Sequence, residues 1–161
     1  MKKIDSTDIS FTKVDMPYGW LGNMSPFPIV FQDQIWLTAE ALFQSLRFEE
    51  YSIKEEIRAQ KSPMSAKMKA KSYRNKMAVI PMSHKDIKNM EMCISLKLNQ
   101  NPSLIKWLRT TGERKIFEDI GCRKGARHLF WGAKKENGFW IGENVLGEVW
   151  MKARKDFFKI L

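Results

Sequence analysis

Five helix-start signals, spread along the chain, constrain this sequence more than any other feature. Thr38 precedes "AEALFQSLRF", Ser62 precedes Pro63 and "MSAKMKAKSYR", Ser83 opens "SHKD", Asn101 precedes Pro102, and Asn144 precedes "VLGEVWMKAR". A hydroxyl or amide at the head of a helix accepts a bond from an orphan backbone N–H, and a proline one place later has its φ already set for the helix. Asp86 stands three residues after Ser83, where a capping box would have Glu or Gln. Beyond these signals apolar residues recur at helical spacing. Ala39, Leu42, Phe43 and Leu46 follow Thr38; Leu146, Val149, Trp150, Ala153 and Phe157 follow Asn144. With the polar run "EEYSIKEEIRAQ", six helices are expected.

Strands are expected to be short. "IVF" and "IW" flank "QDQ" as a small hairpin, "RKIFEDIG" reads as a strand with Ile116 and Phe117 on opposite faces, and "HLFWG" as a second. The fold class is therefore α+β, predominantly helical, with a few short strands. At 161 residues the chain suits a single compact domain over 1–161, since a chain of that length buries roughly two-thirds of its unfolded surface. No repeat or low-complexity tract divides it.

Lys and Arg number 28 against 18 Asp and Glu, a formal charge of +10. Such a charge favours encounters with nucleic acid and with phosphorylated small molecules, or else serves only as a dispersed soluble surface. The basic residues run from Lys54 to Lys159 without a block of five or six, which fits a basic face better than a tail. Cys93 and Cys122 have neither CxxC spacing nor a framework count and read as reduced thiols. "MKKIDSTDISF" lacks the apolar run of a signal peptide, and no segment approaches 18 apolar residues. A cytoplasmic protein without a membrane partner is expected.

Several chemistries lack their residues. His84 and His128 are the only histidines, with no His, Cys or acid cluster at ligand spacing, so no metal site and no cofactor is expected. There is no G-x-S-x-G, and "GENVLG" is neither a Walker A loop nor a dinucleotide fingerprint. Gly142 before Asn144 at a helix start would still aim backbone N–H groups at an anion; an ordinary cap after a turn glycine is the alternative.

Four patches mix aromatics, glycines and a few polar groups: "YGWLGNMSPFPI", "WLTAEALFQSLRF", "RKIFEDIG" and "LFWGAKKENGFWIGENVLGEVWMKAR". Aromatic faces stack on flat rings, glycines admit close backbone approach and carboxylates supply acid or base chemistry, which together suit a nucleotide pocket. In the second patch Glu40, Gln44 and Arg47 form one stripe along two turns, at the flank of the apolar face. Glu40 is the acid of most interest, because it lies beside a buried face.

In their order and spacing, "NMSPFPI", "WLTAEALFQSLRF", "SPMSAKMKA", "LKLNQNPSLIKWLRTTGERKIFED" and "FWG…IGENVLGEVWMKAR" resemble the NADAR domain, or YbiA-like, family. The resemblance runs from about Tyr18 to Arg154. It implies an α+β enzyme that hydrolyses N-glycosidic bonds, in ribosylamino-pyrimidine phosphates of the riboflavin pathway or between ADP-ribose and modified guanine in DNA or RNA. The substrate would then be a phosphorylated ribosyl or ADP-ribosyl compound.

Position by position, Glu40 matches the family's catalytic glutamate, with Arg47 as its electrostatic partner and Glu118 as a possible second carboxylate. Asn23 and Gln44 stand to bind substrate. Trp131 matches a family tryptophan, to stack on a base or to fill the core. Gly142, Asn144 and Gly147 match the phosphate-contacting "G-x-N-x-L-G". Three positions depart: Ala41 where the family usually has His, Arg47 where it has Lys, and Ala133 where many members have Asp. A guanidinium stays protonated and cannot form a Schiff base as lysine can. A protein that binds ADP-ribose-like nucleotides without cutting them is therefore the alternative, and a nucleic-acid-binding module a third reading.

Overall fold

The computed structural model of the chain describes residues 1–159. In chain order its elements are β1 (Lys2–Lys3), β2 (Ile9–Phe11), β3 (Ile29–Phe31), β4 (Gln34–Trp36), α1 (Ala39–Ser45), α2 (Tyr51–Arg58) and α3 (Pro63–Ser72). There follow α4 (His84–Gln100), α5 (Pro102–Thr110), β5 (Ile116–Glu118), α6 (Ala126–Trp131), β6 (Lys134–Glu136), β7 (Phe139–Ile141) and α7 (Val145–Phe158). The class is α+β, mainly helical, as expected. No helix among the described residues is long and apolar enough to cross a membrane. The elements form two compact units, Asn23–Pro102 and Met1–Gly22 with Ser103–Leu161.

In the unit Asn23–Pro102, β3 and β4 pair antiparallel about Gln32 and Asp33, both at positive φ, as a two-residue hairpin turn requires. The outer edge of β3 is closed by one side chain: Gln100 accepts from the Val30 N–H at 2.7 Å and donates to the Val30 carbonyl at 2.8 Å. Thr38 caps α1 by accepting from the Ala41 N–H at 3.2 Å. Ser62 and Ser65 form a capping box at the head of α3, with Pro63 in the first turn, and Ser83 accepts from the Asp86 N–H at the head of α4. Helices α2, α3 and α4 all pack on α1, so every residue from Ala39 to Ser45 is buried. The sequence shows one apolar face on this helix; its polar stripe is enclosed as well.

In the other unit, β1, β7 and β6 form an antiparallel sheet, and β2 pairs parallel with β5. Asn137 and Gly138, at φ 50° and 80°, make the tight turn between β6 and β7. The sheet face is built on the stacked rings of Phe117 and Trp140, 4.4 Å apart. Trp150 of α7 is fully buried, donates to the Leu21 carbonyl at 2.8 Å and meets Trp20 edge-on.

One expected strand is a helix. "HLFWG" belongs to α6, where Gly125 at φ 108° turns the chain into the helix and the Leu129 and Gly132 N–H groups bond back to Gly125 and His128. A strand there has no ladder to join, because only Ala133 beyond it bridges Asp119. Single residues of apolar character then sort by helical period instead, and Trp131 alone is buried.

Candidate active site

Four charged side chains are buried within the unit Asn23–Pro102: Glu40 at 7% exposure, Arg47 at 5%, Asp86 and Lys97 at 0%. Two are acids and two are bases. Taking such groups out of water costs several kcal/mol each unless they are paired, so a cluster of this kind marks a functional site more often than a plain core.

Three of them form one hydrogen-bonded chain. Asp86 takes the Arg47 guanidinium side-on, accepting from Nε at 2.9 Å and from Nη2 at 2.8 Å. Arg47 Nη1 donates to Gln44 Oε1 at 3.2 Å, and Gln44 Nε2 donates to Glu40 Oε1 at 2.8 Å. Arg47 thus reaches Glu40 through Gln44 and not directly. Its guanidinium also lies 4.7 Å from the Phe43 ring centroid. Among the described residues Gln44 is the only hydrogen-bond partner of the Glu40 carboxylate, which leaves Oε2 uncommitted.

Helix α4 supplies the facing wall. Asp86, Met90, Cys93 and Lys97 recur at spacings of three and four and share a face. The Cys93 thiol is pushed up, first by burial and then by the Glu40 and Asp86 carboxylates. Asn23 Nδ2 lies 3.2 Å from Met90 Sδ, while its Oδ1 is buried without a hydrogen-bond partner among the described residues. The Asn23 carbonyl accepts from the Glu40 N–H at 3.0 Å, which ties this loop to the first turn of α1. Lys97 Nζ donates to Ser25 Oγ at 2.8 Å and sits 5.3 Å from the Phe27 ring centroid; burial lowers its ammonium to about 7.

That lowered value has a consequence for stability. Between pH 7 and its ordinary value of 10.5 the unfolded chain holds a proton at Lys97 that the folded chain does not, so stability rises with pH there. The slope is at most about 1.4 kcal/mol per pH unit. Above about pH 9 the raised Cys93 thiol acts oppositely, because the folded chain keeps a proton that the unfolded chain releases. Urea midpoints measured from pH 7 to 8.5 are expected to climb in the wild type and to lose most of that climb in Lys97→Met.

The remaining candidates lie in the other unit. Glu118, on β5, is 3.8 Å from Arg123 Nη2. Trp131, 9% exposed at the end of α6, meets Phe130 edge-on. Asn144 precedes α7 at φ 55° and does not cap it; its side chain donates to the Ile116 carbonyl at 2.8 Å and accepts from the Glu118 N–H at 3.0 Å. A Cβ at Gly147 would run into the Ile116 carbonyl and the Asn144 amide, and one at Gly142 into the Gly132 carbonyl. Both glycines answer to close packing of α7 and its approach. The Glu143 and Asn144 N–H groups bond to Leu129 and Gly132 carbonyls. They are therefore not free to hold a phosphate. Among the described residues no group of His, Cys, Asp or Glu is arranged to hold a metal ion.

Asp86 and Lys97 escape the sequence reading. Asp86 resembles a capping residue, yet its carboxylate serves Arg47 and the Met82 N–H. Lys97 carries a readable signal, a lone charge within the apolar stripe of Met90, Cys93, Ile94 and Leu98.

The NADAR domain family model matches residues 10–158. N-glycosidase YbiA of Escherichia coli (strain K12) is 27% identical over 154 residues, spanning 94% of this chain and 89% of its own length. That of Shigella boydii serotype 4 is 28% identical with the same coverage. The NMR structure of the E. coli protein YbiA matches with a TM-score of 0.78 at 26% identity, over 97% of this chain and 88% of that one. With residues 10–158 matched by the family model, the chain belongs to the NADAR domain family.

Proposed function

We propose that the protein is an N-glycosidase that hydrolyses the bond between a ribose anomeric carbon and nitrogen in a phosphorylated ribosyl or ADP-ribosyl compound. The observation that carries this is the buried Glu40 carboxylate, tethered by one oxygen and uncommitted at the other. Bond cleavage builds positive charge on the sugar; a fixed carboxylate stabilises it or takes a proton from the attacking water. Water's hydroxyl ends on the anomeric carbon and its proton on the leaving nitrogen. The curated relatives are named N-glycosidases, and the +10 charge suits a phosphorylated substrate, free or carried on DNA or RNA.

The test incubates the protein and Glu40→Gln with guanine-ADP-ribosylated DNA and, separately, with a ribosylamino-pyrimidine phosphate, following products by mass spectrometry. Product from one substrate that vanishes in the variant supports the reading and names the substrate. Intact substrate that still binds favours a protein that sequesters its ligand. Arg47 motivates that second reading, since a guanidinium locked on Asp86 cannot serve as a nucleophile.

The unpaired Asn23 Oδ1 is an acceptor awaiting a donor, such as a ribose hydroxyl. Asn23→Leu removes that unsatisfied buried acceptor, so stability is expected to hold or rise, while ligand affinity falls about 10-fold, the equivalent of one hydrogen bond. Thermal unfolding with and without ligand measures both effects.

A further inference from the structure

We propose that Asp86 is a positioning residue that sets the direction of the Gln44 amide, and that this direction holds Glu40 for reaction; the inference rests on Glu40 being the reacting carboxylate. A guanidinium only donates. Asp86 occupies its Nε and Nη2 edge, which leaves Nη1 facing Gln44. Gln44 must meet Nη1 with its oxygen, so its Nε2 is turned to Glu40 and donates to Oε1. Each link carries the polarity to the next. The spacing of 40, 44 and 47 along α1 and its end keeps neighbours one turn apart, and the Phe43 ring beneath Arg47 restricts the guanidinium further.

Without Asp86 the long Arg47 side chain has no fixed edge, and the amide of Gln44 can turn over. Its oxygen would then face the Glu40 oxygen, two acceptors in contact inside a buried site. The carboxylate would have to swing away or take up a proton, and in either case it ceases to be a fixed anion. The helix α1 stripe therefore works only as a unit with a residue 39 positions further along the chain.

The experiment compares wild type, Asp86→Asn, Gln44→Met and Glu40→Gln. Asparagine keeps the size of Asp86 but presents one donor to a donor; methionine keeps the shape of Gln44 and leaves the Arg47–Asp86 pair intact. Two readouts are taken: hydrogen exchange of the Gln44 side-chain amide by NMR, and kcat and KM on the substrate identified above. Faster Gln44 exchange by about 10-fold or more is expected in Asp86→Asn, because its two partners are no longer fixed. In both variants kcat should fall about 10- to 100-fold, with KM within about twofold, as for a displaced reacting group.

Unchanged Gln44 exchange in Asp86→Asn overturns the proposal, whether or not any substrate is turned over. Full kcat in Gln44→Met, alongside inactive Glu40→Gln, overturns it too. If Asp86→Asn fails to fold, Gln44→Met decides alone. Should wild type and Glu40→Gln prove equally inactive while Gln44 loosens in Asp86→Asn, the glycosidase assignment fails and the orienting role of Asp86 stands.

Discussion

Replacing Glu40 by Gln is expected to lower turnover by about 100- to 1000-fold or more, the usual cost of deleting a charge aimed at a developing transition state. The fold should survive. Glutamine has the size of glutamate and can offer its own carbonyl oxygen to the Gln44 Nε2 that now bonds to Oε1. What disappears is the negative charge that the proposed mechanism sets against the anomeric carbon. Far-UV circular dichroism and a melting curve should match the wild type within a few degrees, while product formation by mass spectrometry falls to background. Unchanged turnover would remove Glu40 from the chemistry.

The largest effect on stability is expected from Asp86→Ala. It leaves the Arg47 guanidinium buried and unpaired and takes an acceptor from the Met82 N–H. Breaking a buried pair from one side costs about 3–5 kcal/mol, a large part of the roughly 5–15 kcal/mol that holds a domain folded. The double variant Arg47→Met with Asp86→Leu removes both charges and keeps much of the volume. It should recover most of that loss, since a hydrophobic replacement of a buried pair is often neutral or better. Urea unfolding of the wild type, the single variant and the double variant reads this directly. A single-variant loss below about 1 kcal/mol would mean that the pair behaves as a hydrated surface contact.

Helix starts were the most legible part of the structure. Thr38, Ser62 with Pro63, and Ser83 all mark their helices, because capping is a local hydrogen bond between near neighbours. The hairpin turn at Asn137 and Gly138 carries an equally local signal, whereas "HLFWG" is helical. That stretch has the residues of a strand but lies where no partner strand is offered, and pairing is not written in the segment itself. The same division governs the site. Glu40, Gln44 and Arg47 are near neighbours whose stripe can be read from spacing. Their enclosure by three other helices, the pairing of Arg47 with Asp86, and the meeting of Lys97 with Ser25 are long-range contacts that no local pattern encodes.

Asn144 has a structural task that its motif does not announce. The glycines and asparagine of "GENVLG" look like a cradle for an anion. Here they let α7 lie against β5, with the asparagine amide acting as a bracket between the Ile116 carbonyl and the Glu118 N–H. An Asn144→Ala change should therefore be felt first in the melting temperature.

The side chain of Gln100, which pairs with both backbone groups of Val30, has a bearing on how the protein behaves in a crowded solution. Val30 and Ile35 are half exposed on a hairpin whose outer edge would otherwise invite a strand from another molecule. One amide occupies those backbone groups and denies that template to neighbours. A single glutamine at the end of α4 thus guards that edge, and a chain that lost it is expected to keep its shape and to pair more readily with other strands along β3.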